Sequence, residues 1–457
     1  MMKIQFSLCC LALFSPCLAV QSLLDIGYDF CASNALFSSI NPLCAKPQTA
    51  NVQLPIIHGS ASKPEEVLKS SRYDHHHHED QIGRQSLWST SPRCLAHYNE
   101  TTKYCVYTSQ SFAANRGISI FANSDHSDKY ARLQGLSDPA VVEGCNAETD
   151  PRFTSQPIPG KGLGLVASRP ISRGEELFRS TPVVIIEEGL DELFDESDRL
   201  PFYHLAIKQL PDGSRRLFHD LMGHFGGDVV EDIINTNCFA VALHVGADDD
   251  EAVAATAVFP EMSRMNHDCR PNAHYYFDPD TLTQHVHALR TILPGEEITV
   301  SYINPAQVSA HRKEALRSSW GFSCGCNACT AHAPIREASD RRVEEIERLQ
   351  SMLGDYSAAS PIADSETGTR VADLLIELYR LEGMLGPISE AYAYAALEYN
   401  SAQRKWEAIK YANMAIEAGL LYGGPKDGDV QSMMELVRSP EEHWSWDYRA
   451  RVRWQEG

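Results

Sequence analysis

Positive charge is in short supply. Lysine and arginine number 40 against 61 aspartates and glutamates, a formal net charge of -21. That balance argues against a protein that grips a nucleic-acid backbone, because phosphates would be repelled. It suits a basic peptide partner, and equally a surface that only keeps itself soluble. Long apolar runs are also missing: beyond the first twenty residues no stretch is long enough for a membrane span. No segment recurs at a fixed period, so a stacked-repeat array has no support. What remains is 457 residues with 43% hydrophobic and 22% charged side chains, the composition of a globular chain of two or three domains with a sizeable core.

The chain starts MMKIQFSLCCLALFSPCLAV. Lys3 gives a short positive start, an apolar run follows from Ile4, and small residues end it near Ala19. Residues 1–20 therefore have the form of a secretory signal peptide, with a buried N-terminal helix as the plainer alternative. Cys31, Cys44, Cys94, Cys105 and Cys145 follow, and an oxidising compartment would pair all but one of five. Cys94 and Cys105 flank HYNETTKY, a hairpin with its turn at Asn99-Glu100, and are the first disulfide candidates. Asn99-Glu100-Thr101 is also a glycosylation sequon. These features point to the secretory pathway or the extracellular space; the cytoplasm or nucleus is the alternative.

Residues 21–90 are rich in Ser, Pro, Asn and His. The run from Asp74 through His75, His76, His77 and His78 to Asp80 is a solvated low-complexity stretch or a metal binder. Strand-like pieces at 104–107 and 117–122 suggest a small appended module, so 21–150 is read as a cysteine-containing N-terminal extension. From Phe153 short β-rich runs bounded by Gly, Pro or Ser alternate with turns, at 164–167, 176–178 and 183–186. A partly helical insert follows from Asp191 to about Val230, then an acidic surface loop at 247–251. Strands return at 273–277, 285–290 and 298–302. After Thr330 the pattern is helical. Val343, Ile346, Leu349 and Leu353 recur at helical spacing with Gly354 as a C-cap, a second helix spans 371–385, and 391–400 with 406–418 form a helix pair with small residues and aromatics inside. That pair resembles one tetratricopeptide-like hairpin in a helical region, 331–457; a helical tail packed on the main domain is the plainer reading.

Four separated pieces carry the chemistry. Gly160-Lys161-Gly162-Leu163-Gly164 lets backbone approach a ligand, though any tight turn would look the same. In RMNHDCRPNA, residues 264–273, Asn266 and His267 are a polar pair between apolar residues and a strand. Such a pair must be satisfied, either by a ligand rich in donors and acceptors, such as an adenosyl group, or by nearby backbone. GEEITVSY, residues 295–302, is a turn feeding a strand that ends in Tyr302. Cys324-Gly325-Cys326-Asn327-Ala328-Cys329 places three thiols too close to satisfy one another by disulfides, a three-thiolate grip on zinc. A fourth ligand must come from elsewhere: Cys269 is the best candidate and Cys238 the runner-up.

These pieces, in this order, resemble the SET-domain lysine methyltransferases. RMNHDCRPN is similar to that family's R-φ-N-H-S-C-x-P-N motif, with Asp268 where serine is usual. GEEITVSY is similar to G-E-E-[LI]-T-x-x-Y, and the cysteine run resembles the family's post-SET cluster. The resemblance is strongest to the SET-and-MYND class and related fungal proteins, but no MYND-type cysteine array is present. It implies an α+β fold of small curved sheets with a knot-like crossing of the second and third pieces. The SET domain would span 151–303 and a zinc-holding post-SET segment 304–330, with the helical region behind. It implies S-adenosylmethionine as cofactor, held by Gly162, Gly164, Asn237, Asn266, His267, Tyr302 and Phe322. Tyr302 would be catalytic, and Cys269, Cys324, Cys326 and Cys329 would hold zinc. The expected partner is a protein substrate presenting a lysine to a monomeric enzyme, with no nucleic acid involved. A catalytically quiet SET fold acting as a binding module is the alternative, kept open by Asp268 and by the N-terminal extension. Tyr275 and Tyr276 alternate on a strand, so one lines a lysine channel and the other packs in the core.

Overall fold

The computed structural model describes residues 87–96, 103–146, 150–245, 252–357, 359–362 and 364–456. The signal-like start, the histidine run, Asn99 and the acidic loop at 247–251 lie outside the described residues. Among the described residues thirteen strands fall into three sheets. The largest holds β1 (Arg93–Ala96), β2 (Lys103–Ser109), β3 (Ile118–Asn123), β7 (Val184–Glu187), β9 (Val253–Val258) and β8 (Cys238–Leu243), in that order. The second runs β10 (Asn266–His267), β13 (Glu297–Val300), β5 (Gly162–Ala167), β4 (Phe153–Ile158). The third runs β11 (Ala273–Asp278), β12 (Thr283–Ala288), β6 (Glu176–Ser180).

The first sheet shows that residues 93–123 do not stand apart as a module. β3 pairs in parallel with β7, so the N-terminal strands continue the sheet built by later residues. Parallel pairing wants cover on both faces, and the sequence supplies it by alternation. Ile118, Ile120 and Ile185 point into one apolar core, while Phe121, Val184 and Ile186 point into another. That second core is closed by helices α1 (Glu196–Gln209), α2 (Asp212–His219) and α3 (Val229–Asn237), which form the expected helical insert. Cys94 lies opposite Cys105 in the β1–β2 register, and the two form a disulfide.

Beyond β13 the chain is helical: α4 (Ser309–Trp320), α5 (Ala333–Gly354), α6 (Ser365–Glu382), α7 (Ile388–Ser401), α8 (Lys405–Tyr422), α9 (Gly428–Arg438) and α10 (Tyr448–Glu456). Val343, Ile346, Leu349 and Leu353 are all buried, as their spacing requires. α6 starts where Asp364 accepts from the Thr367 N–H and ends at Gly383 with φ +64°. The α7–α8 pair is cemented by alanines, including Ala391, Ala395, Ala408 and Ala412. Trp406 corrects the expected inner face: it is 76% exposed, because the buried stripe of α8 begins only at Ala408.

The helices dock on the third sheet and the motif loop. His274 stacks on Tyr422 at 4.2 Å, and Lys426 bonds Asp278 and Asp280 at 2.8 and 2.6 Å. Gly424 rides over Tyr276, where a Cβ would come within 2.6 Å of the ring. Arg270 reaches Glu382 at 2.6 Å, and Arg342 and Ser339 reach the same carboxylate at 2.6 Å each. Burial pushes the Glu382 carboxyl up, but these three partners outweigh it and hold the group below its ordinary value. Removing one member of so buried a cluster strands the others, so Glu382→Ala should cost ~3–5 kcal/mol. The check is the urea midpoint; an unchanged midpoint would show that the clamp does not bear on stability.

Candidate active site and metal centre

The second and third motif pieces cross. Asn266 and His267 pair in parallel with Thr299 and Val300, and the Asp268 N–H continues the ladder to the Val300 carbonyl. Asn272, buried at the end of the same motif, locks the crossing: its side chain accepts from the Thr299 N–H at 2.9 Å and donates to the Glu297 carbonyl at 2.8 Å. The glycine piece is tied in by Glu297, which accepts from Asn266 Nδ2 at 2.8 Å and from Lys161 Nζ at 2.7 Å. Gly164 is required by this packing, since a Cβ there would lie 2.8 Å from Asn266 Nδ2 and 2.9 Å from Glu297 Oε1. Asp268, the departure from serine, keeps a local role open to either residue: its Oδ1 accepts from the Arg270 N–H at 2.8 Å.

Cys269, Cys324, Cys326 and Cys329 come together with all four Sγ atoms within 4.8 Å of one another. Cys269 and Cys329 Sγ are 3.6 Å apart. A tetrahedral zinc with Zn–S near ~2.3 Å needs sulfurs roughly 3.8 Å apart, so the donor set fits a zinc ion. Cys238, the runner-up, is not in the group; it opens β8, with its thiol directed at the Asn235 carbonyl. Bonds from Cys269, then Cys324 and Cys329, hold the Cys326 thiol well below its ordinary value. Competition with Cys324, Cys326 and Cys329 pushes the Cys269 thiol up. Four thiolates this close would demand a cation.

Tyr302 sits just past β13, beside this cluster. Its ring centroid lies 5.4 Å from His267, 5.7 Å from Trp320 and 6.4 Å from Phe322, and its hydroxyl donates to the Met265 carbonyl at 2.8 Å. Burial, then the charge of Glu297, pushes the phenol up, so it stays protonated and remains a donor. Both His267 ring nitrogens are used inside the protein. Nδ1 accepts from the Tyr302 N–H at 3.0 Å, and Nε2 lies 3.3 Å from Cys269 Sγ. The side chain's two ring nitrogens therefore face Tyr302 and the cysteine group. Burial lowers this imidazole to about 4.

Asn266 Nδ2 also donates to the Leu163 carbonyl in the glycine turn at 3.2 Å, Phe322 lies 6.2 Å from His267 and 6.4 Å from Tyr302, and Gly162 (φ +77°) has open space where a Cβ would be. Asn237 stands at the end of α3, its amide donating to the Met222 and Ile233 carbonyls at 2.8 and 2.9 Å. Ser263 Oγ, two residues before Met265, reaches the Asn237 carbonyl at 3.4 Å.

A cavity of about 960 Å³ opens between the sheets and the helices. Tyr275, Tyr302 and Ile303 are among its lining residues, as are Glu344, Glu347 and Glu390. Asp427 and Asp429 complete five carboxylates, with no lysine or arginine among the lining residues. Burial pushes Glu390 and Asp429 up, a strain that a bound cation would relieve. Tyr275 is the cavity-side tyrosine; Tyr276 stacks on His285 at 4.8 Å instead. The acidic lining escaped sequence reading because Glu344 and Glu347 are exposed residues of α5 that share the cavity only with residues far along the chain, Glu390 and Asp429 among them. Asn272 and Glu297 lay within the motifs, but their crossing bonds join residues 25 or more apart.

The family model described as SET domain matches residues 162–303. Histone-lysine N-methyltransferase set5 of Schizosaccharomyces pombe is 26% identical over 292 residues, 63% of this chain and 84% of that protein. N-lysine methyltransferase SMYD2 of Gallus gallus is 35% identical over 215 residues, 46% of this chain and 45% of that protein. The solved methyltransferase domain of human Histone-lysine N-methyltransferase SETMAR aligns at 18% identity over 33% of this chain and 44% of that one, with a TM-score of 0.20, too slight a likeness to argue from. No helix among the described residues is long and apolar enough to cross a membrane. With the motif crossing and the four-cysteine group beside it, the segment from 162 to 303 matches a SET domain, and the chain is similar to proteins named as histone-lysine and N-lysine methyltransferases.

Proposed function

We propose that the chain methylates lysine ε-amines of proteins, with Tyr302 at the reacting end of the cavity. The observation that carries this is the cavity itself, which joins Tyr302 and Tyr275 to a set of carboxylates. When bound, S-adenosylmethionine supplies an electrophilic sulfonium methyl. The glycine turn at Gly162 and Gly164, Asn266, Asn237 and Phe322 are the residues that would hold it. The half-exposed Phe322 ring and the open space at Gly162 are compatible with such a ligand. Zinc, held by Cys269, Cys324, Cys326 and Cys329, would be a structural brace.

The protein's remaining work is alignment, water exclusion and a neutral amine. A lysine of pKa ~10.4 costs about 4–5 kcal/mol to deprotonate at neutral pH. Burial beside Tyr275 and Tyr302 would disfavour the charged form, while the cavity's carboxylates would attract the cationic segment that carries it. Tyr302, protonated and fixed, orients the amine rather than removing its proton.

Labelled-methyl transfer from S-adenosylmethionine to proteins, with lysine located by mass spectrometry, tests the reading. Paired Glu344→Gln and Glu347→Gln should raise the KM of a basic peptide ~2–10-fold with kcat little changed, and flatten the salt dependence. Cofactor binding with no label in any protein would put the binding-module alternative in its place. Nothing in the relatives favours that alternative, and Asp268 no longer argues for it.

The Cys94–Cys105 disulfide and the apolar start support a secretory or extracellular compartment. Mass spectrometry of the native N-terminus and of Asn99 decides this: Met1 retained with Asn99 bare returns the chain to the cytoplasm or nucleus.

A further inference from the structure

We propose that His267 is a positioning residue that transmits the geometry of the cysteine cluster to Tyr302, rather than a ligand of the cofactor through its side chain. This rests on the reading of Tyr302 as the reacting-end tyrosine and of the cluster as a zinc site. The Tyr302 N–H donates to Nδ1 at 3.0 Å, which leaves Nδ1 without a proton. A neutral ring then carries its proton on Nε2, 3.3 Å from Cys269 Sγ. Donating there lowers the charge on a metal-bound thiolate and fixes the sulfur's direction. The ring is buried at 4% exposure, and Tyr302 and Phe322 pack near it at 5.4 and 6.2 Å, so it has no room to turn.

One side chain thus spans the two halves of the machine. On one side is the sulfur that closes the cluster; on the other is the backbone of the residue that meets the substrate. Tyr302 lies beyond the last residue of β13, where no strand ladder holds its N–H. His267 supplies the bond that the sheet no longer does. The Tyr302 hydroxyl is held separately by the Met265 carbonyl, so ring and backbone are both anchored to the 265–267 segment.

The two bonds can be broken one at a time in the full-length, zinc-loaded protein. An asparagine oxygen can accept where Nδ1 did, and a glutamine nitrogen can donate where Nε2 did. His267→Asn should therefore weaken zinc binding ~10–100-fold by chelator competition, yet keep kcat within ~3-fold at saturating zinc. Its cobalt(II) form should show shifted thiolate charge-transfer bands. His267→Gln should keep zinc affinity within ~3-fold, while kcat falls ~10-fold or more and the KM for S-adenosylmethionine stays near wild type. Parallel loss of both properties in both variants, or no change in either, overturns the proposal. If a variant fails to fold, hydrogen exchange in the wild type decides. Chelating zinc should deprotect the Tyr302 amide at least ~10-fold while leaving Ile120, in the first sheet, protected; an unmoved Tyr302 amide overturns the proposal. A wild-type protein without zinc, or a fully active Tyr302→Phe, would instead remove the reading on which it rests.

Discussion

Tyr302→Phe should lower kcat by ~10²-fold or more while the Kd for S-adenosylmethionine moves by less than ~3-fold. The change removes one oxygen and leaves the ring. The ring packs against His267, Trp320 and Phe322, and none of these contacts needs the hydroxyl. What disappears is a donor fixed at 2.8 Å from the Met265 carbonyl and held in the protonated form by burial. A methyl transfer with little bond-making help from the protein depends on alignment, and a misplacement of the order of 1 Å is enough for the expected loss. The measurement is a split: isothermal titration for the cofactor, single-turnover transfer for the rate. A Tyr302→Phe protein with wild-type transfer would end the assignment.

Cys326→Ser should empty the metal site, lower the melting temperature and abolish transfer. Its three neighbours hold the Cys326 thiol below its ordinary value, as a site for a cation requires. A serine hydroxyl does not ionise there and offers no soft sulfur. Structural zinc binding is worth about 10–16 kcal/mol in small zinc domains, so losing a quarter of the ligand set should be felt across the loop. The cluster binds the segment from Cys324 to Cys329 onto Cys269, and Phe322 stands two residues before Cys324. Cofactor affinity should therefore fall together with the metal, unlike in Tyr302→Phe. Elemental analysis and a thermal melt check this. A wild-type protein that is active and free of zinc would overturn the cluster as a metal centre.

Some of this site was legible in the chain alone because its chemistry is local. Cys324, Cys326 and Cys329 are so close in sequence that no backbone path could keep them far apart. Their need for a cation followed, and with it the search that reached Cys269. RMNHDCRPN and GEEITVSY are each contiguous, so residue identities could be recognised before any fold was known. The same holds for Cys94 and Cys105, eleven residues apart across a hairpin.

Other features needed the third dimension. His267 looked like a cofactor ligand because a polar pair must be satisfied, and the sequence does not say by whom. The structure satisfies it with Tyr302 and Cys269, 35 and 2 residues away. Trp406 opens a helix whose aromatics were expected inside, yet its ring is exposed, because the buried stripe of α8 begins at Ala408. Residues 93–123 looked separate because β-rich pieces do not announce their partners; β3 finds β7 across some sixty residues, a parallel pairing no local pattern encodes.

By itself, then, the sequence determined which groups could do the chemistry: a zinc-capable thiol set, a strand-end tyrosine and a motif pair of one family. Reactivity of that kind is set by side-chain type and short spacing. Only the tertiary structure decided that Cys269 and not Cys238 joins the cysteine group, that Tyr275 faces the cavity and Tyr276 does not, and that His267 bonds the Tyr302 N–H on one side and meets Cys269 Sγ on the other. It also decided that carboxylates from α5, α7 and α9 share one cavity. Each of these is a meeting of distant segments, fixed by long-range burial and hydrogen-bond satisfaction rather than by any local pattern.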